Sequence, residues 1–143
     1  MEPLTVPAEL ESLDDIRRYV TAFAEASGLE KKAAYRLYLA VDEIATNIIT
    51  YGFREHRPCG EVVVSGDVND EALTITLEDC GEAFDPRSHD MPDAEDLETP
   101  LGDREVGGLG IFLALNGVDQ FDYRRVGDRN INSFTMRRVP RDG

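Results

Sequence analysis

The sequence is poor in cysteine and in long apolar runs, and each scarcity excludes a class of protein. Two cysteines, Cys59 and Cys80, cannot form a disulfide framework in 143 residues, and no metal-ligand spacing is visible. We interpret both as free thiols in a reducing cytoplasm. No segment approaches the ~20 apolar residues of a membrane span, and the N-terminus lacks a basic start. A soluble cytoplasmic protein, not a membrane protein, is therefore expected.

Positive charge is also scarce. The chain has 15 Lys and Arg against 29 Asp and Glu, which gives a formal net charge of −14. Because such a surface repels phosphate backbones, no nucleic-acid partner is expected. A single bound nucleotide is not excluded, since backbone N–H groups and a metal ion can neutralise its phosphates locally. The hydrophobic content of 41% is enough for one core, so residues 1–143 are expected to form a single domain.

The hydrophobic periodicity predicts two helices early in the chain and a sheet built from its other segments. The predicted elements are a strand at 4–6, a helix from about 12 that ends at Gly28, a helix at 30–51, strands at 62–68 and 73–78, a helix at 111–116, and strands at 118–125 and 131–139. This order favours an α+β fold, a two-layer sandwich whose antiparallel or mixed sheet carries helices on one face. Residues 86–106 are acidic and polar, and a loop of this length is typical of a lid.

The first pair of candidate functional residues lies on the second predicted helix. Glu43 and Asn47 are spaced i,i+4, so they project from one face, one turn apart. Both offer oxygen atoms, which suits a hard cation such as Mg²⁺ with a proton acceptor beside it. The alternative interpretation is a polar stripe that faces solvent.

Two further motifs contain glycine. Asp79 and Gly81 follow a predicted strand, where the carboxylate can accept a hydrogen bond from a ligand amino group, although both residues are also ordinary in turns. The stretch Gly107-Gly108-Leu109-Gly110 precedes an apolar helix and could direct backbone N–H groups at phosphate. It fits neither the P-loop nor the dinucleotide pattern, and a simple flexible turn is the alternative.

Taken together, the motifs indicate the class of protein more specifically than any one of them does alone. Their order is Glu43-x-x-x-Asn47, Asp79-x-Gly81, a long lid, and Gly107-Gly108-Leu109-Gly110. This order, over residues 4–139, resembles the GHKL (Bergerat-fold) ATP-binding superfamily. Within that superfamily, the small size of the chain and residues 41–49 look most like the anti-sigma factor serine/threonine-protein kinases.

The resemblance implies a role for each motif residue. Glu43 would be the general base, and Asn47 would bind the Mg²⁺ that bridges the phosphates. Asp79 would accept a hydrogen bond from the adenine amino group, and Gly81 would leave room for the base. The remaining ATP-binding candidates implied by the resemblance are Arg104, Gly107, Gly108, Leu109, Gly110 and, in the last strand, Thr135.

By the same resemblance, the expected function is an anti-sigma factor serine/threonine-protein kinase. It would use ATP and Mg²⁺ to phosphorylate an anti-anti-sigma partner of the STAS type and regulate a sigma factor by partner switching, with a homodimer as a compatible state. One alternative is a nucleotide-binding module that sequesters a partner with little or no kinase activity, because Ala83 stands where the family often has a second glycine. A second is an interaction domain that binds no nucleotide. A histidine-kinase catalytic domain is less favoured, because no helical dimerisation segment with a phospho-accepting histidine precedes the motifs.

Overall fold

The structure is a computed structural model that describes residues 2–52, 60–81, 83–88 and 108–138. Its elements, in chain order, are β1 (Leu4–Pro7), α1 (Leu13–Ala26), α2 (Lys31–Asn47), β2 (Glu61–Val68), β3 (Ala72–Asp79), α3 (Gly108–Gly117), β4 (Gln120–Val126) and β5 (Arg129–Arg137). All strand pairings are antiparallel, and the five strands lie in the order β1-β2-β3-β5-β4. The predicted α+β architecture is confirmed, and the sheet is antiparallel rather than mixed.

One face of the sheet forms the floor of the core. In β3, the side chains of Leu73, Ile75 and Leu77 point inward and are fully buried, whereas the residues between them point to the other face. This alternation follows from the two-residue repeat of a strand. Apolar residues of all three helices pack against the inward face in a single cluster. The helices therefore cover one side of the sheet. Asp79 points to the same side as Leu73, Ile75 and Leu77, so it lies under the helices.

Helix α1 packs through a stripe at helical spacing, as the periodicity predicts. Ile16, Val20 and Phe23 are buried, and the helix ends before Gly28, which has a φ of 70°. The ring of Phe23 reaches the sheet at Gly66, where an added Cβ would lie only 2.7 Å from ring atoms. Strand β2 therefore depends on a glycine at the point where the Phe23 ring of α1 packs on it.

Helix α2 ends in an irregular turn. Its α-helical part stops at Asn47, and residues Ile48–Gly52 continue as a π-helical turn. In the last turn, the Thr46 hydroxyl and the Asn47 amide donate to the carbonyl oxygens four residues earlier, at 2.7 and 2.8 Å. Such side-chain bonds compete with the regular ladder, and π turns are frequent at functional sites. The predicted extent of this helix is right, but its end is not regular.

The interpretation of the cysteines as free thiols is wrong. Cys80 is disulfide-bonded and its side chain is buried at the end of β3. Cys59, the other cysteine of the chain, lies outside the described residues. Two cysteines offered too little pattern to predict a pairing, and the argument for a reducing compartment loses its support. None of the helices in the described ranges has the length and apolarity needed to cross a bilayer.

Candidate functional site

The side chains of Glu43 and Asn47 contact each other on α2. Asn47 Nδ2 donates to the Glu43 backbone oxygen at 2.8 Å and lies 3.4 Å from Glu43 Oε1. Because the amide nitrogen faces the helix, the Asn47 Oδ1 atom points away from it, and it accepts no hydrogen bond from any residue that the structure describes. An amide oxygen held in this way can serve as a ligand for a hard cation.

The environment of Glu43 differs from that of the neighbouring acid. Asp42 is ion-paired with Arg17 of α1, with 2.7 Å between Asp42 Oδ1 and Arg17 Nε. No cation of the described segments pairs with Glu43, which is half-buried. Burial raises the pKa of Glu43, repulsion from Asp42 raises it further, and the Asn47 hydrogen bond opposes both. A carboxylate whose pKa is raised in this direction is a stronger proton acceptor, as a general base requires.

Asp79 ends β3 with its side chain buried under the helices. Its Oδ1 atom accepts hydrogen bonds from the Gly81 backbone N–H at 2.8 Å and from Asn130 Nδ2 at 3.0 Å. Its Oδ2 atom is also buried, yet no donor in the described ranges reaches it. Burial raises the pKa of the Asp79 carboxyl, against the opposing effects of the two hydrogen bonds and of Arg125 and Arg129. A buried acceptor left without a donor is costly, so this atom is a strong indication of a ligand or an ordered water.

The structure adds three residues to the site that the sequence did not indicate, Tyr123, Arg125 and Asn130. Asn130 is 4% exposed, and its Oδ1 atom accepts from the Tyr123 hydroxyl and, at 3.1 Å, from Arg125 Nη1. The same Arg125 nitrogen donates to the Gly81 backbone oxygen at 2.9 Å. The β4–β5 hairpin therefore holds both ends of the Asp79-x-Gly81 turn.

Strand β5 presents asparagine, not threonine, to this region. Asn130 and Asn132 lie in the inward phase that Phe134 and Met136 define, and Asn132 Oδ1 is buried without a partner in the described chain. Thr135 is in the opposite phase and shares a hydrogen bond of 3.1 Å with Thr74 on the open face of the sheet. The structure thus does not bring Thr135 to Asp79. Two polar residues in the buried phase of a strand were the signal that could have identified the asparagines.

The glycine stretch lies only partly in the described chain. Gly108, Leu109 and Gly110 form the first turn of α3, which begins three residues earlier than the sequence predicts and packs along α2. Arg104, Gly107 and most of the predicted lid at 86–106 fall outside the described residues.

The start of the predicted lid is described and is attached to β4. Arg87 forms ion pairs with Asp85 at 3.0 Å and with Asp122 at 3.6 Å, and its guanidinium lies over the Phe121 ring. Ala83, which replaces an expected glycine, is exposed and does not have a positive φ. The alanine therefore causes no backbone strain at this position.

The donors and acceptors of the site fit a magnesium-bound adenine nucleotide. The Asp79 Oδ2 atom, which has no donor among the described residues, is suited to the exocyclic amino group of a purine, since a carboxylate only accepts hydrogen bonds. Within the described segments, no group of three or more His, Cys, Asp or Glu side chains could hold a metal ion alone. Mg²⁺ commonly takes one or two protein oxygens, with water and phosphate oxygens as its other ligands, so Asn47 suffices as a protein contact.

Comparison with known proteins gives the class of the chain. Residues 6–137 match the family of histidine kinase-like ATPase domains, and the chain belongs to that family. The resemblance to the GHKL superfamily is thereby confirmed, and the chain is a kinase-like ATPase domain.

Particular relatives and solved structures agree with this class. The chain is 26% identical over 122 residues to the serine-protein kinase RsbW of Halalkalibacterium halodurans, covering 85% of this chain and 74% of that protein. RsbW of Bacillus subtilis is 27% identical over 119 residues, with 82% and 73% covered. The RsbU and RsbW domains of Rv1364c from Mycobacterium tuberculosis superpose with a TM-score of 0.65 at 13% identity, over 96% of this chain and 33% of that one. A chain of the SiaB-SiaC complex from Pseudomonas aeruginosa has a TM-score of 0.58 at 13% identity, over 96% and 89%. At such identities the structural matches establish the fold alone.

Proposed function

We propose that the chain is an ATP-dependent serine/threonine kinase that phosphorylates an anti-anti-sigma partner of the STAS type. It would regulate a sigma factor in the cytoplasm by partner switching, as a homodimer or a monomer. The observation that carries the nucleotide part is the buried Asp79 oxygen without a donor in the described chain. The names of the RsbW relatives support the choice of a serine-kinase activity.

Each residue of the site has a defined task in this proposal. Bound Mg-ATP supplies the γ-phosphoryl group, with its charge partly neutralised by the metal. Asp79 Oδ2 would accept a hydrogen bond from the adenine amino group, and Asn47 Oδ1 would hold the metal. Glu43 accepts the proton of the partner's hydroxyl, and its raised pKa favours that step. Positioning and charge neutralisation are the main needs of phosphoryl transfer, and these few groups provide them.

The first turn of α3 would contribute to phosphate binding, because the N-terminal end of a helix carries a partial positive charge. The backbone N–H groups of a first helical turn and the positive end of the helix dipole favour an anion, here at Gly108 to Gly110. The two lysines of the chain lie in the first turn of α2 and are exposed. Phosphate binding is therefore assigned to backbone and metal, together with Arg104 and Gly107, which stay predictions from the sequence.

The test is a transfer assay with Glu43→Gln. The purified protein is incubated with Mg-[γ-³²P]ATP and a purified STAS-type antagonist, and ADP binding is measured by calorimetry. Glu43→Gln should keep ADP binding but slow transfer by on the order of 10²–10⁴-fold, the usual contribution of a general base. Asp42→Asn is the matched control, because it removes the adjacent carboxylate that pairs with Arg17 and should keep transfer within a few-fold.

The outcomes separate the possible functions. If Glu43→Gln transfers as fast as the wild type, Glu43 is not the base. If the wild type binds ADP tightly but transfers nothing, the chain is a nucleotide-binding module that sequesters a partner. The scarcity of lysine near the site is the observation that favours this second candidate. Folded protein that binds no nucleotide at all would refute both.

A further inference from the structure

We propose that Asn130, held in place by Tyr123 and Arg125, is a positioning residue that makes the site selective for a purine with an amino group at C6. It does so by fixing which oxygen of Asp79 faces the base. This inference rests on the nucleotide-binding function proposed above. It concerns three residues of the β4–β5 hairpin rather than any motif read from the sequence: Asn130 bonds Asp79, Arg125 bonds Gly81, and Tyr123 bonds Asn130.

The first step is the orientation of the Asn130 amide. Arg125 can only donate hydrogen bonds, so the Asn130 atom that it contacts must be the oxygen. The Tyr123 hydroxyl donates to the same oxygen. The amide nitrogen is then forced toward Asp79 Oδ1, at 3.0 Å, in a position that is almost fully buried. The amide cannot flip without placing an acceptor against a carboxylate.

The second step is that the two oxygens of the Asp79 carboxylate have different environments. Its Oδ1 atom takes two N–H donors, from Asn130 and from the Gly81 backbone, whereas Oδ2 receives none from the described residues. Two donors on one oxygen resist rotation of the carboxylate and favour its ionised form. The ionised Oδ2 atom is a pure acceptor, which matches an amino group and repels a carbonyl oxygen.

The third step concerns the turn that follows. Arg125 Nη1 also bonds the Gly81 backbone oxygen at 2.9 Å, so one guanidinium joins the Asn130 amide to the residue that lies next to the base in the proposed site. Burial opposes the ionised form of Asp79, and the charged groups that act on it among the described residues are Arg125 and Arg129, which both favour that form. Loss of a hydrogen bond from the hairpin therefore shifts Asp79 toward protonation. A protonated carboxyl can donate to a carbonyl and no longer discriminates against one.

The experiment compares ADP with IDP, which replaces the amino group at C6 by a carbonyl. Affinities of Mg-ADP and Mg-IDP are measured by calorimetry for the wild type, Tyr123→Phe, Arg125→Met and Asn130→Ala. The wild type should prefer ADP by at least about 100-fold. Each hairpin variant should reduce that ratio by at least about tenfold, mainly through weaker ADP binding. Arg124→Met is the matched control: Arg124 is exposed on the opposite phase of β4, and its removal should change the ratio less than twofold.

A structural role alone would have a different signature. It would weaken ADP and IDP equally and leave the pH dependence of binding unchanged, whereas the proposal predicts that the acidic limb of ADP binding moves to higher pH. Tyr123→Phe removes one hydroxyl and is expected to fold, so it decides the matter if Asn130→Ala does not. A wild type that prefers ADP, with an unchanged ratio in Tyr123→Phe and Arg125→Met, overturns the positioning role only. A wild type that binds neither diphosphate overturns the proposed function, and the inference with it.

Discussion

At the scale of single residues, Asp79 shows that ligand binding and folding stability can favour different residues at one position. The carboxyl is 1% exposed, and one of its oxygens has no donor in the described chain. Burial disfavours its charge, and the pKa rises as a result. A fold selected only for stability would place a neutral or apolar group there, so the acid is best explained by what it binds.

The variant Asp79→Asn tests this conflict. The folded pKa of Asp79 lies above its unfolded value, so the wild type loses stability as pH rises from the unfolded pKa through the folded one. An asparagine does not titrate. The difference in unfolding free energy between variant and wild type should therefore shift in favour of the variant as pH rises from about 4 toward neutral, measured by urea denaturation at several pH values.

The same substitution should weaken ADP binding. With Gly81 and Asn130 both donating to the oxygen at position 79, the new amide nitrogen would face the adenine amino group, donor against donor. A loss of at least about tenfold in affinity is expected. This role of Asp79 is contradicted if the unfolding free energies of the wild type and Asp79→Asn depend on pH in the same way, or if both proteins bind ADP with the same affinity.

Strand phase decides which polar residues of β5 belong to the site. The sequence predicts the strand, and the resemblance points to Thr135, but the structure presents Asn130 and Asn132 on the inward side. A shift of one residue turns a side chain to the other face of a sheet. The contact of Asn130 with Asp79 also joins residues 51 apart in the chain. Local alternation cannot reveal such a pairing, although Phe134 and Met136 do indicate the phase.

At the scale of elements, the regular parts were predictable because each has a clear hydrophobic period. The stripe of α1, the alternation in β3 and the i,i+4 pair on α2 all appear where the sequence analysis expects them. Two irregular features could not be predicted, namely the π-helical turn after Asn47 and the disulfide at Cys80. Both depend on contacts between distant segments or on local competition for carbonyl oxygens, which periodicity does not encode.

The packing of α1 on β2 gives a prediction for an element. Because a Cβ at position 66 would lie 2.7 Å from the buried Phe23 ring, Gly66→Ala forces the ring or the strand to move. Overpacking of this kind typically costs about 1–3 kcal/mol, measured by urea unfolding. Phe23→Leu alone should also destabilise, yet the double variant should recover part of the Gly66→Ala loss. Additive losses would show that the two residues do not meet in solution.

At the scale of the whole molecule, the charge is the dominant feature. The chain carries a net charge of −14, and the ion pairs in the described segments rely on a few arginines, such as Arg17, Arg87 and Arg129. Most carboxylates of the described segments form no ion pair there, and the excess of 29 acidic over 15 basic residues leaves a general repulsion. Self-repulsion destabilises a compact state, and it is screened by salt.

Added salt should therefore stabilise the folded chain. Raising NaCl from about 0.01 to about 0.15 M shortens the Debye length from about 30 to about 8 Å, so repulsion between distant carboxylates weakens. A gain of ~1 kcal/mol would raise the midpoint of thermal unfolding by about 2–8 °C for a domain of this size. The control is the same pair of scans at pH 5, closer to the pI of about 4.4, where the smaller net charge should reduce the effect. A midpoint that falls with salt at pH 7 would mean that local ion pairs, which salt weakens, outweigh the repulsion among the 29 acidic residues.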